Sequence, residues 1–160
     1  MARNDSPKDD TTDICRNRRA FHEYDVFDRL ECGIVLTGTE VKSLRDGHAG
    51  LEDSYAKVDG GEVWLIGSDI PEYAMGNRMN HKPKRPRKLL LRRREIASFV
   101  GKSSQRGYTL VPLRLYFKGG LAKVELAVCR GKQLHDKRQD LKKKDADREI
   151  RRTLSNRRRD

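Results

Sequence analysis

Cysteine, tryptophan and proline are scarce in this 160-residue chain, with three, one and five copies respectively. Cys15, Cys32 and Cys129 are odd in number and far apart, and they form no C-x-x-C pair and have no His at ligand spacing. Neither a disulfide framework nor a zinc site is suggested, and the three read as ordinary thiols. No apolar stretch approaches the roughly 20 residues that span a bilayer, and the polar start Met1-Ala-Arg-Asn-Asp5 has no signal-peptide core. The expectation is a soluble cytoplasmic protein with no membrane partner. G-x-S-x-G, G-x-x-x-x-G-K-[ST] and G-x-G-x-x-G are all missing, and His22, His48, His81 and His135 are scattered. No catalysis and no cofactor or metal are therefore expected, although a metal-dependent nuclease built on Glu31, Glu40, Asp53 and His22 stays open as an alternative.

What the chain has in excess is positive charge. Lys and Arg number 36 against 24 Asp and Glu, a formal net charge of +12 with a pI near 9.9. Such a field attracts polyanions, and nucleic acid leads the candidate partners. Hydrophobic residues make up 35% and charged residues 38%. Part of the chain should then lie outside a single core, as tails.

Read along the chain, residues 1–15 are polar and expected to be a disordered N-terminal tail. From His22 to Leu36 a β-branched and aromatic run bent near Gly33 predicts a long strand with a bulge. Thr37-Gly-Thr-Glu40 has capping-box spacing and Gly47 can end a helix, which predicts a two-turn helix over 38–46. Ser54–Val58 and Val63–Ile66 flank Asp59-Gly-Gly61 as a hairpin, and Tyr108–Phe117 and Leu121–Val128 flank Lys118-Gly-Gly120 as a longer one, with Pro112 marking an edge or bulge. Residues 71–86 read as a loop and Leu89 to Val100 as a second helix.

These elements predict a mainly β domain over 16–130 with short helices: an antiparallel β-barrel of the oligonucleotide-binding type, with a split α+β sheet as the alternative. From Gly131 to Asp160 no strand pattern remains, and the chain is Lys/Arg-rich with sparse Leu134, Leu141, Ile150 and Leu154. This basic C-terminal tail is expected to be disordered alone and helical on a charged partner.

The sharpest local signal is the run from Arg78 to Arg94, because no acidic residue occurs between Glu72 and Glu95. Lys84, Arg85, Arg87 and Lys88 within it are expected to meet phosphates, positioning an RNA more than reading its bases. Tyr24, Tyr55, Trp64, Tyr73, Tyr108 and Tyr116 could stack on unpaired bases, or pack in the core.

Several motifs then carry a resemblance. Ala20-Phe-His-Glu-Tyr24, Glu40-Val-Lys-Ser-Leu-Arg45, Asp53-Ser-Tyr55, Asn80-His-Lys-Pro83, Arg87-Lys-Leu-Leu-Leu91 and Gly131-Lys-Gln-Leu-His-Asp-Lys-Arg138 resemble the small protein B family of bacterial transfer-messenger-RNA-binding (SsrA-binding) proteins, over about residues 16–150. The resemblance implies a barrel that binds the tRNA-like domain of transfer-messenger RNA and helps load it into stalled ribosomes, with Glu31 and the stretch Leu90 to Arg92 supporting the RNA. Where the family pattern has His or Asn this chain has Arg92, so a phosphate contact is expected there instead. The resemblance also implies a tail that becomes helical in the messenger channel of the small ribosomal subunit. Gly131, His135, Asp136, Lys137 and Arg138 would meet ribosomal RNA near the decoding centre, with Gly131 giving backbone freedom. A monomer sharing its RNA with elongation factor Tu completes the expected partners.

Overall fold

A computed structural model describes residues 10–76 and 78–157. The elements follow in the order β1 (Thr11–Arg16), α1 (Arg18–Glu23), β2 (Tyr24–Ile34), α2 (Gly38–Arg45), β3 (Tyr55–Asp59), β4 (Glu62–Ile66), β5 (Arg87–Leu90), α3 (Arg93–Ser103), β6 (Tyr108–Lys118), β7 (Leu121–Gly131) and α4 (Leu134–Arg157). All strand pairs are antiparallel, and the order β6-β3-β4-β5-β2-β7 closes on itself through the β6–β7 pairing. Closure leaves the ring without a terminal strand, and β1 lies outside it, paired to the stretch of β6 that β3 does not cover, Arg114–Lys118.

Local chemistry explains much of this. Gly60 and Gly61 have φ of 58° and 75°, and Gly119 and Gly120 have φ of 56° and 78°. Positive φ at both central residues gives the two-residue turn whose twist matches the flanking strands, and both predicted hairpins form. Pro112 lies at a register shift in β6, as a residue without an N–H should. In α2 the Glu40 carboxylate accepts the Thr37 N–H at 3.2 Å, and Gly47, at φ 79°, closes the helix by donating to Leu44 O at 2.9 Å.

The barrel interior holds Cys32, Val63, Leu65, Leu89, Leu110, Leu115, Val124 and Leu126, closed off by Leu44 of α2 and Phe99 of α3. A second cluster, Ala20, Val111, Leu113, Ala127 and Cys129, packs α1 on the outside of β6 and β7. Burial pushes the Cys32 thiol up to about 12 and Cys129 to about 11, so both stay protonated and inert.

Two sequence expectations need correction. Of the segment expected to be disordered, residues 11–15 form β1: Ile14 and Cys15 pack on the core, and Asp13 accepts from Arg114 Nη1 at 3.0 Å. Residues 1–9 lie outside the described residues. Leu89 and Leu90 are not helical but complete the barrel in β5, between β4 and β2, and α3 starts only at Arg93, where Glu95 accepts the Arg92 N–H at 2.8 Å. Beyond the barrel, Leu134–Arg157 of the basic tail form α4, the helical form expected of this segment on a charged partner. Its root is tied down, since Lys132 N donates to Glu23 O at 2.8 Å and Lys132 Nζ reaches Phe21 O and Asp140.

Candidate nucleic-acid interface

The run from Arg78 to Arg94 has no acidic neighbours in sequence, but the fold supplies them. Glu40, fully buried on α2, accepts from Arg85 Nε and from Arg85 Nη2 at 2.9 Å. Arg87 Nε lies 3.3 Å from the same carboxylate. The rest of the Arg87 guanidinium donates to Ser68 O at 2.9 Å, Ser68 Oγ at 3.0 Å and Pro83 O at 2.9 Å. Burial opposes the charge on Glu40, but the Arg85 hydrogen bond, the Arg87 charge and the Thr37 N–H outweigh it and hold the carboxyl below its usual range. Arg87 is 0% exposed. It therefore staples the 71–86 loop to α2 and cannot touch a phosphate, which corrects the sequence expectation for this residue. Lys88 is held by Glu62 at 2.6 Å. Among the expected phosphate contacts Lys84 and Arg92 stand exposed, alongside Arg93 and Arg94, while Arg85 is only partly accessible.

A different convergence lies at the far end of β2. Gly33 pairs with Leu90 of β5 on one side and with Lys123 of β7 on the other. A Cβ on Gly33 would meet the Leu90 Cβ at 3.1 Å, so the glycine sets how closely Leu90 approaches β2. Leu90 is 52% and Leu121 65% exposed; with Ile34, Leu36, Phe117 and Lys123 they line an apolar groove. Beside it, Glu31 accepts from the Tyr116 hydroxyl and from Lys118 Nζ at 3.3 Å. The Tyr116 hydrogen bond, then Lys118 and Lys123, outweigh partial burial and hold Glu31 below the usual carboxylate range. The Arg114 guanidinium, 4.1 Å from the centroid of the Tyr116 ring, fixes that ring from behind. The result is an exposed apolar ledge, an ionised acceptor and two lysines within one patch, which suits a ribose or base face, a base or sugar donor, and phosphates. Sequence reading missed Lys118 and Lys123; their signal was the polar phase of the β6–β7 alternation, which has meaning only once the register against β2 is known.

Tyr24 is not part of this patch. It pairs with Gly131 at the opposite end of β2, seven residues from Glu31, or roughly 23 Å at strand rise. There it is half-buried in a cleft with Asn17, Arg19, Glu23, Asp53 and Tyr55. Gly131 itself needs no special backbone freedom: it ends β7 without a positive φ. His135, Asp136 and Arg138 are exposed on the first turns of α4, Lys137 is half-buried, and the His135 ring hydrogen-bonds Gln139 at 3.1 Å. The expected sites thus separate into a Glu31–Leu90 end and a tail end. The four residues of the alternative nuclease do not gather: Glu40 is held by arginines, Glu31 by Tyr116 and Asp53 by Arg19, and among the described residues no three His, Cys, Asp or Glu side chains could hold a metal.

The SmpB protein family model matches residues 14–156, which takes in the second half of β1, the whole barrel and all of α4 but its last residue. The chain belongs to the SmpB family. An SsrA-binding protein of Corynebacterium jeikeium is 58% identical over 144 residues, covering 90% of this chain and 78% of that one. One from Desulfitobacterium hafniense is 56% identical over 139 residues, covering 87% and 89%. A solved structure described as "tmRNA-SmpB: a journey to the center of the bacterial ribosome" superimposes with a TM-score of 0.65 at 45% identity, over 75% of this chain and 85% of that one. Both ends of this SmpB-family barrel, the Glu31–Leu90 groove and the root of α4, lie inside the matched span.

Proposed function

We propose that this chain is the RNA-binding adaptor of trans-translation: it binds the tRNA-like domain of transfer-messenger RNA and promotes delivery of that RNA to stalled ribosomes. Membership of the SmpB family carries the reading, and the Glu31–Leu90 patch gives it a mechanism. Leu90 and Leu121 offer an apolar ledge to an RNA face, the ionised Glu31 accepts from a base or ribose donor, and Lys118, Lys123 and Arg92 meet phosphates. Glu31 adds no attraction for phosphate, so its contribution is specificity. The tail, residues 131–160, takes the second task, engagement of the small ribosomal subunit and its RNA through the first turns of α4 and the helix beyond. Elongation factor Tu shares the same RNA, the chain acts as a monomer in the cytoplasm, and it performs no covalent chemistry.

A gel-shift series with the tRNA-like domain against an unrelated hairpin tests the reading. Glu31→Ala removes a negative charge, yet it should weaken the tRNA-like domain by about 1.5–3 kcal/mol, as for a hydrogen bond to a charged group, and leave or improve binding of the hairpin. Equal affinity of the parent chain for both RNAs would point instead to a general ribosome-assembly factor.

A further inference from the structure

The root of the tail carries an aromatic feature that the functional reading does not use. In β2 the register against β7 jumps from Val26↔Cys129 to Asp28↔Val128, which leaves Phe27 as the extra residue of a bulge. Bulges re-aim a side chain, and here the ring is turned out to 59% exposure. It does not stand alone. Its centroid is 5.4 Å from that of Tyr108, with the planes tilted by 59°, and the Arg130 guanidinium lies 5.9 Å from the Tyr108 centroid. Arg130 is cross-strand from both Tyr108 and Asp25, so the pleat fixes the group. The nearby carboxylates are Asp25 and Asp28, and Asp28 is taken up by Lys102. Arg106 is exposed on the turn before Tyr108.

A single exposed Phe needs no explanation. A Phe raised on a bulge, braced by a second ring and edged by a guanidinium, presents a rigid π surface with a cation beside it. One ring pair set among charges is far too small for a protein interface, which takes roughly 800 Å² from each partner. It matches one nucleobase: every base has a π face, and the neighbouring phosphate finds Arg130 or Arg106. We propose that Phe27, Tyr108 and Arg130 form a stacking platform for one unpaired nucleobase of a bound RNA, separate from the Glu31–Leu90 groove. The proposal rests on the RNA-adaptor reading above. The base belongs either to transfer-messenger RNA or to ribosomal RNA, since the platform lies where β7 hands over to α4.

The test uses the full chain with Phe27→Ala, Phe27→Leu and Phe27→Trp, in gel shifts with the tRNA-like domain and in co-sedimentation with small ribosomal subunits. Phe27→Ala should lose about 5- to 150-fold in affinity on one of the two, the range measured for base–aromatic stacking, and the arm that responds identifies the RNA. Phe27→Trp should restore binding and Phe27→Leu should not, because stacking needs a ring and not only apolar bulk. Parent-like binding of Phe27→Ala on both arms, or rescue by Leu, overturns the platform. Circular dichroism melts of the exposed-site variants should match the parent, and a variant that melts early is replaced by Arg130→Gln, for which a weaker loss on the same arm is expected and none on either overturns the idea. A parent chain that binds neither RNA would overturn the adaptor reading itself, a result distinguishable from failure of the platform alone.

Discussion

Two basic stretches of this chain behave oppositely once folded. Residues 73–94 contain no acid, yet Arg85 and Arg87 end on the buried Glu40 and Lys88 on Glu62. The tail mixes signs along its sequence, yet almost all of α4 is exposed, and its described ion pair, Lys132 with Asp140, serves to anchor its root. Charge environment is a property of the folded neighbourhood and not of the sequence window. An unneutralised run can be neutralised by a helix distant in sequence, and what remains for a polyanion is the subset that the fold leaves out: Arg78, Lys82, Lys84 and Arg92 to Arg94.

The comparison breaks most visibly at Arg87. If its charge is structural, Arg87→Ala leaves Glu40 buried with half of its compensation and removes the three hydrogen bonds to Ser68 and Pro83. The substitution should cost about 3–5 kcal/mol, read as a shift in the urea midpoint. A variant that unfolds like the parent but binds RNA weakly would return Arg87 to the interface. Acid offers a second reading of the same cluster. Glu40 is held below its usual pKa in the fold, so its contribution to stability is full above the ordinary carboxylate range and is lost as pH falls through that range towards its own lower value. Stability of the parent should therefore fall more steeply below about pH 4.5 than that of Glu40→Gln, whose stability at pH 7 is already lower. Parallel pH profiles would remove Glu40 from the account.

The exposed subset gives a smaller effect of a different kind. Lys84→Ala with Arg92→Ala and Arg93→Ala should leave the melting temperature unchanged and weaken all RNAs alike. Each real phosphate contact should lower the slope of log K against log[salt] by roughly 0.7–0.9, about two to three for the set. An unchanged slope would mean that these charges face water.

Local chemistry made the turns legible: Gly60-Gly61 and Gly119-Gly120 announce hairpins, Pro112 a bulge and Thr37 with Glu40 a helix start. The elements that were not legible depend on distant partners. β1 exists because β6 offers an edge, and the leucines of β5 are strand because β4 and β2 flank them. The same holds for the site. Glu31 and Leu90 came from family resemblance, Arg87 was misread because its partners Glu40 and Ser68 lie 47 and 19 residues away, and Lys123 is placed only by its register with Gly33. Tyr24, expected with the RNA contacts, falls at the other end of the same strand.

Removal of residues 131–160 probes the other half of the comparison and should have the smallest effect on the barrel. The segment carries twelve Lys and Arg against six Asp and Glu, so it holds +6 of the chain's formal +12. Were affinity for the tRNA-like domain set by net charge, halving it would weaken every RNA strongly. Among the described residues the barrel core contains none beyond Cys129, and β7 keeps its pairing with β2 and β6 up to Arg130, so the truncated chain should fold with the parent's melting temperature. The Glu31–Leu90 groove lies at the far end of β2 from the cut, and its affinity for the tRNA-like domain should change by less than tenfold, about 1.4 kcal/mol. Binding to an unrelated hairpin should fall further and its salt slope should shrink, because nonspecific attraction is what the tail's charges supply. Tagging of stalled peptides should be abolished, since the tail would be missing from the small subunit. A truncated barrel that folds but loses the tRNA-like domain by more than tenfold would show that α4 takes part in that contact, and the division between a specific barrel and a ribosome-directed tail would fail.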